Sequence, residues 1–122
     1  MSTTFEVLNV KQEIVKALRE EGIVEPTTIQ LKTIPLVHEG KDLIGISRTG
    51  SGKTACFGIP LLEKIHPGQG VQGLVLAPTR ELAVQISNEL RKWARYLHVS
   101  IATVYGGVGV EQQVASIARA DV

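Results

Sequence analysis

Short apolar runs alternate along the chain with longer stretches in which apolar residues recur every three or four positions. The runs at 43–46, 73–77 and 99–104 have the length and the glycine-rich surroundings of buried strands. The longest helical pattern covers 79–97, where apolar residues fall at steps of four, four, three and four. This alternation of strands with helices predicts an α/β fold, a parallel sheet flanked by helices.

Further helices follow from capping residues. Asn9 is predicted to be an N-cap with Gln12 as its capping-box partner, in a helix that Gly22 closes. A second helix should begin near Thr27, and Pro35 should kink or divide it because proline lacks the amide hydrogen that the helix interior uses. The remaining helices are expected over 53–65, perturbed at Pro60, and over about 110–117.

Composition narrows the class of protein. The chain has 122 residues with 13 basic and 12 acidic side chains, a net charge of +1, which excludes a strongly basic tail and an acidic disordered segment. The single cysteine, Cys56, forms no internal disulfide and is read as a small buried apolar residue. No signal-like start and no apolar run of roughly 18 residues is present. We therefore expect a soluble cytoplasmic protein that contacts no membrane.

The strongest chemical signal is the octapeptide SRTGSGKT at 47–54, between a predicted strand and a predicted helix. Gly50 and Gly52 let the backbone amides curl into an anion nest, and the helix N-terminus adds further amides. Lys53 is expected to reach the β and γ phosphates of a nucleotide, and Thr54 to ligate the Mg²⁺ between them. The plainer alternative is a glycine-rich turn with an exposed lysine.

Three features on either side of this octapeptide limit the kinds of ligand that the chain could bind. Gln30 offers one donor group and one acceptor, which match the amine and N7 of adenine, although it is equally readable as a solvated helix residue. Thr79 and Arg80 lie where a strand ends and a helix begins, a place suited either to a phosphate or to a simple cap. Gly106 and Gly107 allow close approach of a ligand backbone, or form an ordinary turn.

Together these segments resemble the DEAD-box family of ATP-dependent RNA helicases. Phe5 with GIVEPTTIQ at 22–30 resembles the family's Q motif, and SRTGSGKT resembles motif I with Ser47 at a position that is usually alanine. PTRELA at 78–83 resembles motif Ia, and Gly106 with Gly107 resembles the GG element. The resemblance implies a P-loop NTPase fold of RecA-like type, ATP and Mg²⁺ as ligands, and RNA held by its backbone with little regard to sequence.

The resemblance also assigns roles residue by residue. Lys53 and Thr54 become the catalytic residues, with Thr54 as the Mg²⁺ ligand. Ile23 stands where the family often has an aromatic, which would weaken adenine binding. The implied nucleotide contacts are Phe5, Ile23, Pro26, Gln30, Ser47, Arg48, Thr49, Gly50, Ser51, Gly52, Lys53 and Thr54. The implied RNA contacts are Pro78, Thr79, Arg80, Gly106 and Gly107.

Domain organisation follows from the same resemblance. Residues 1–40 would form a Q-motif helical segment, and 41–122 the N-terminal part of the first RecA-like domain. Residues 120–122 have the character of a strand just beginning, so the domain is expected to be incomplete, without the Asp-Glu-Ala-Asp motif and the second RecA-like domain.

This expected incompleteness has consequences for function. The chain alone is then expected to bind nucleotide weakly and to hydrolyse it near background. Unpaired strand edges and an uncovered apolar face should show as poor solubility, a partly disordered phosphate loop or self-association through the missing strands. A non-catalytic nucleotide- or RNA-binding module is the main alternative. A small metabolite kinase is disfavoured because the chain has no arginine-rich lid.

Overall fold

In the computed structural model, which describes residues 3–122, helices connected by turns and extended segments make up the fold. Residues 1 and 2, the start of the predicted segment 1–40, lie outside the described residues. The helices within 3–122 are α1 (Gln12–Glu20), α2 (Thr28–His38), α3 (Lys53–Glu63), α4 (Arg80–Trp93) and α5 (Val110–Ala118). All the predicted helices are therefore present, in the predicted order.

The start of α1 differs from the prediction, because Asn9 does not cap it. Asn9 adopts φ +60° within the turn that precedes the helix, and Lys11 is the N-cap residue, without a side-chain cap. The Lys11 backbone N–H donates to Glu63 Oε2 at 3.1 Å. The Glu63 carboxylate, at the end of α3, thus accepts a hydrogen bond from a backbone N–H at the start of α1, the role that was expected of the Asn9 side chain. Gly22, at φ +77°, follows the helix end as predicted.

The α2 helix begins as predicted and runs unbroken through Pro35. Thr27 is its N-cap, and Thr27 with Gln30 forms a complete capping box. Of the two predicted effects of Pro35, a kink or a division, the division does not occur, since α2 continues to His38. Contact with α3 accounts for this, because His38 Nε2 and Glu63 Oε1 form a hydrogen bond of 2.7 Å that holds the last turn in place.

Close packing of α3 on α4 depends on a residue without a side chain. A Cβ atom added to Gly58 would lie 2.8 Å from Leu90 Cδ2 and 3.0 Å from Trp93 Cζ3. The helix α4 is capped by Thr79, whose Oγ1 accepts from Leu82 N at 3.1 Å. It ends at Trp93, four residues before the predicted end, and turns follow.

The core lies where α1 and α3 pack against α4, with α2 packed on α3. Its largest fully buried side chains are Phe5, Ile14, Leu18, Ile34, Ile59, Leu62 and Leu90. The α5 helix forms as predicted but contributes no buried side chain. No helix within residues 3–122 combines the length and the apolar character needed to cross a bilayer.

The predicted buried strands are wrong for the described chain, since residues 3–122 contain no β-strand. The first, second and third extended segments (41–48, 71–77 and 99–105) occupy the predicted positions. Ile44 is 91% exposed and Leu76 is 84% exposed, so neither is a core residue. A strand needs a hydrogen-bonded neighbour along its length, and the described chain supplies these segments with almost none. The parallel sheet is therefore an expectation that this structure does not show.

The second and third extended segments meet at Asp121 and Val122. The Asp121 carbonyl accepts from Gln72 N at 2.9 Å, and Ala102 N donates to the Val122 carbonyl at 3.0 Å. The Asp121 side chain is 3% exposed. Its Oδ1 accepts from Gly68 N at 3.0 Å and its Oδ2 from Ser100 N at 2.9 Å. This carboxylate therefore ties three separate stretches of chain together.

An apolar groove of about 400 Å³ lies between the second and third extended segments. Its lining includes Leu74, Leu76, Ile86, Leu90, Val104 and Ile117. Leu74 is 78% exposed and Val104 is 50% exposed, so much of this apolar surface faces solvent. The described residues therefore leave an apolar surface uncovered.

Removal of the Asp121 carboxylate should destabilise the fold. Asp121→Ala leaves two backbone N–H groups without their acceptor, and a hydrogen bond to a charged group contributes about 1.5–3 kcal/mol. We expect the free energy of unfolding to fall by about 3 kcal/mol in urea titrations monitored by circular dichroism. Asp42→Ala, at the other, exposed aspartate, is the matched control. Equal effects of the two substitutions would contradict the assigned role.

Candidate functional site

The predicted phosphate loop (47–54) joins the first extended segment to α3. Gly50 and Gly52 adopt φ +82° and +86°, a backbone conformation that other residues reach only with strain. Ser51 N donates to the Arg48 carbonyl at 3.2 Å, and the hydroxyls of Ser47 and Ser51 are hydrogen-bonded. The chain thereby turns sharply and enters α3, whose first amides have no partner within the helix. This is the geometry of a backbone anion site.

A positive charge lies across this loop. Lys53, the first residue of α3, is exposed, and its Nζ donates to the Ser47 carbonyl at 2.7 Å. The ammonium group therefore spans the loop from its last residues to its first. A loop of amides closed by an ammonium group attracts a multiply charged anion such as a phosphate chain.

The residues present fit Mg²⁺ only as a partner of bound phosphates. Thr54 is half-buried in the first turn of α3 and can offer one hydroxyl oxygen. The described residues contain no group of three or more His, Cys, Asp or Glu side chains placed to hold a metal ion. Mg²⁺ commonly binds through substrate phosphates, waters and one or two protein oxygens, so the Thr54 hydroxyl suits that role.

Gln30 connects the start of α2 to this loop. Its Oε1 accepts from Thr27 N at 2.9 Å, and its Nε2 donates to the Gly52 carbonyl at 3.0 Å. The side chain is 4% exposed, so it is not the solvated helix residue of the alternative interpretation. Each end of the amide still has one unused hydrogen-bonding position, a donor on the nitrogen and an acceptor on the oxygen.

Close contact between Gln30 and the loop explains a second demand on Gly52. A Cβ atom at that position would overlap Gln30 Nε2 and lie 3.3 Å from Thr27 Cγ2. Gly50 has the same kind of backbone conformation, but a Cβ atom there would meet nothing within 4 Å. Gly52 is therefore required both for its backbone angles and for the space that Gln30 occupies.

The other predicted adenine contacts differ in how exposed their side chains are to solvent. Phe5 is 1% exposed and belongs to the core around α1, so its ring has no face free in this structure. Ile23 is 36% exposed and Pro26 is half-buried, both in the turn before α2. Gln30 is the one of the four that contacts the phosphate loop through a hydrogen bond.

The two predicted RNA-binding segments come together at the start of α4. The Arg80 guanidinium lies over the Tyr105 ring, with Cζ 5.0 Å from the ring centroid, a cation–π arrangement. A Cβ atom on Gly107 would lie 3.9 Å from Arg80 Nη1. Pro78, Thr79 and Gly106 are exposed beside them. Tyr105 was not identified from the sequence, although an aromatic residue directly before two glycines is a usable signal.

Cys56, in the second turn of α3, has the character of a structural residue. It is 8% exposed, and its Sγ donates weakly to the Gly52 carbonyl at 3.6 Å. Burial raises the pKa of the Cys56 thiol, which keeps it protonated and unreactive.

Comparisons with known proteins agree on one family. A family model described as DEAD/DEAH box helicase matches residues 27–122. The chain is 48% identical, over 118 residues, to the DEAD-box ATP-dependent RNA helicase CshA of Geobacillus kaustophilus (strain HTA426). That match covers 96% of this chain and 25% of the relative, so the chain spans about a quarter of the relative's length.

Solved structures agree in fold. A DEAD box protein from Methanococcus jannaschii matches with a TM-score of 0.93 and 38% identity, over 97% of this chain and 33% of that one. A hypothetical ATP-dependent RNA helicase from Sulfolobus tokodaii matches with a TM-score of 0.81 and 40% identity, over 91% of this chain and 32% of that one. The RNA helicase Prp28 from Chaetomium thermophilum, bound to ADP, matches with a TM-score of 0.79 and 38% identity, over 92% of this chain and 29% of that one.

Two alanine substitutions in the loop should separate backbone strain from steric overlap. Gly50→Ala should cost about 1–2 kcal/mol of stability, from the left-handed backbone conformation alone. Gly52→Ala should cost more, because it also displaces Gln30. In a double-mutant cycle, Gln30→Ala should reduce the cost of Gly52→Ala by about 1 kcal/mol and leave that of Gly50→Ala unchanged. Chemical denaturation measures all the variants, and additivity in both pairs would contradict the contact.

Proposed function

Because the chain belongs to the DEAD/DEAH box helicase family, we propose that it binds ATP in the phosphate loop and the sugar–phosphate backbone of RNA beside Arg80. In the proposed function, these two sites form part of an ATP-dependent RNA helicase that remodels RNA duplexes. The observation that supports this most directly is the loop 47–54, with its two left-handed glycines and the Lys53 ammonium across it.

The proposed adenine specificity rests on Gln30. Its amide retains one free donor and one free acceptor, the pair that complements adenine. Guanine has an acceptor where adenine has its amine, so one hydrogen bond would be lost and one polar group left unpaired. Since the same amide holds the Gly52 carbonyl, we propose that recognition of the base and the shape of the phosphate loop are linked through this side chain.

The proposed chemistry of this chain alone is binding rather than turnover. Lys53 and the α3 amides hold the phosphates, and Thr54 contributes one oxygen to Mg²⁺, which neutralises phosphate charge when bound. The sequence contains no Asp-Glu-Ala-Asp tetrad, and no acidic metal cluster occurs within residues 3–122. Loss of one preorganised charge in such a site typically costs about 10²–10³ in rate. The same observation favours a non-catalytic binding module as the second candidate for the isolated chain.

Calorimetric titration of the chain with ADP and Mg²⁺, beside GDP, tests the proposed nucleotide site. We expect weak binding of ADP and none of GDP. Lys53→Ala should lower ADP affinity by about tenfold or more, because it removes a charged hydrogen-bond donor. Gln30→Ala should narrow the difference between the nucleotides. Lys32→Ala, at an exposed lysine of α2, is the control.

Two outcomes distinguish the candidates. Equal binding of ADP and GDP, or an unchanged affinity in Lys53→Ala, would contradict the proposed site. Single-turnover ATP hydrolysis that Lys53→Ala abolishes would show that the chain is more than a binding module.

We also propose that the chain self-associates through the apolar groove between the second and third extended segments. The groove presents apolar side chains beside extended backbone that forms no β-strand within residues 3–122, a surface that pairs readily with a second copy. Size-exclusion chromatography with light scattering should give a mass that rises with concentration. Leu76→Lys, which places a charge at an 84% exposed position, should shift the chain towards the monomer. A monomer at every concentration would contradict this proposal.

A further inference from the structure

One polar side chain spans the double-glycine turn that leads into α5. Gln113 lies one turn inside that helix, and its Oε1 accepts from Tyr105 N at 2.8 Å. Its Nε2 donates to the Val108 carbonyl at 3.3 Å. A single amide group thus bonds to the residue before the two glycines and to the residue after them.

Within residues 3–122, Gln113 is the one side chain that forms hydrogen bonds with the backbone of this turn, at 105–109. The third extended segment, which enters it, is not part of a β-strand, and α5, which leaves it, has no buried side chain. Gly107 is at φ +83°, and two consecutive glycines give the backbone wide freedom. The two hydrogen bonds of Gln113 restrict this freedom, because they connect the two ends of the turn.

Residues of this turn also surround the Arg80 guanidinium. The Tyr105 ring lies under the Arg80 guanidinium, and Gly107 lies close to the same guanidinium, since a Cβ atom there would be 3.9 Å from Arg80 Nη1. The Gln113 amide bonds directly to the backbone N–H of Tyr105, so it holds the backbone that carries this ring. A loose turn would move both the glycines and the ring.

We propose that Gln113 is a positioning residue for RNA, which holds the double-glycine turn and the Tyr105 ring in the arrangement that Arg80 needs. This inference rests on the proposed function, in which Arg80 and the glycines bind the RNA backbone. Gln113 itself carries no charge and contacts no phosphate in this role. Its removal should therefore change the affinity for RNA without changing how many counterions RNA binding releases.

The neighbouring Gln112 offers a matched control. It has the same chemistry, lies on the same helix and is exposed. Gln113→Met keeps the length of the side chain and removes both hydrogen bonds, and Gln112→Met makes the same change where no such bridge exists. Arg80→Ala tests the proposed RNA contact itself.

Fluorescence anisotropy of a labelled oligouridylate with the full chain, over a series of salt concentrations, tests the inference. We expect Gln113→Met to weaken RNA binding about fivefold to tenfold, the equivalent of about one hydrogen bond. The slope of log K against log salt should not change. ADP affinity should also stay the same, and Gln112→Met should behave as the parent chain.

The variants separate failure of the inference from failure of the proposed function. Arg80→Ala should reduce the salt slope by about one; if it leaves RNA binding unchanged, the proposed RNA site is wrong. If Arg80→Ala weakens binding while Gln113→Met matches Gln112→Met, the positioning role is wrong. A Gln113→Met chain that loses thermal stability and ADP affinity along with RNA affinity would show a general structural role and overturn the inference.

Discussion

The hydrogen bond from Gln30 to the Gly52 carbonyl is the contact on which the site depends. The capping box fixes Gln30 at the start of α2, and the bond carries that position across to the phosphate loop. The loop leads directly into α3, which packs on α4 through Gly58. A local capping rule at the start of α2 thus becomes a constraint on the candidate phosphate site.

Much of the helical framework could be predicted from the sequence. Helix periodicity is a local property, and the predicted start of α2 near Thr27 is confirmed. Asn9 failed as a cap because Glu63, far away in sequence, bonds to the N–H of Lys11. Pro35 did not end its helix because α3 holds the following turn. In each case a tertiary contact outweighed a local preference, which the sequence alone does not reveal.

The strand predictions failed for a different physical reason. Apolar runs such as 43–46 indicate a capacity for burial, but a strand forms only where a neighbouring segment pairs with its backbone N–H and carbonyl groups. Within residues 3–122 such pairing is limited to the few hydrogen bonds around Asp121 and Val122. The phosphate loop motif, by contrast, could be read from the sequence because its geometry is set within eight residues. The contacts of Gln113 could not, because they span a turn and depend on how the chain folds there.

The close fit between Gly58 and the α4 helix has an optical consequence. Trp93 is the single tryptophan of the chain, is 5% exposed and stands 3.0 Å from where a Cβ of Gly58 would lie. Its indole therefore stands against the same helix that begins at the phosphate loop. Any motion of α3 on its neighbour alters the surroundings of this one fluorophore. The protein thus carries an intrinsic, label-free reporter of what happens at the proposed phosphate site.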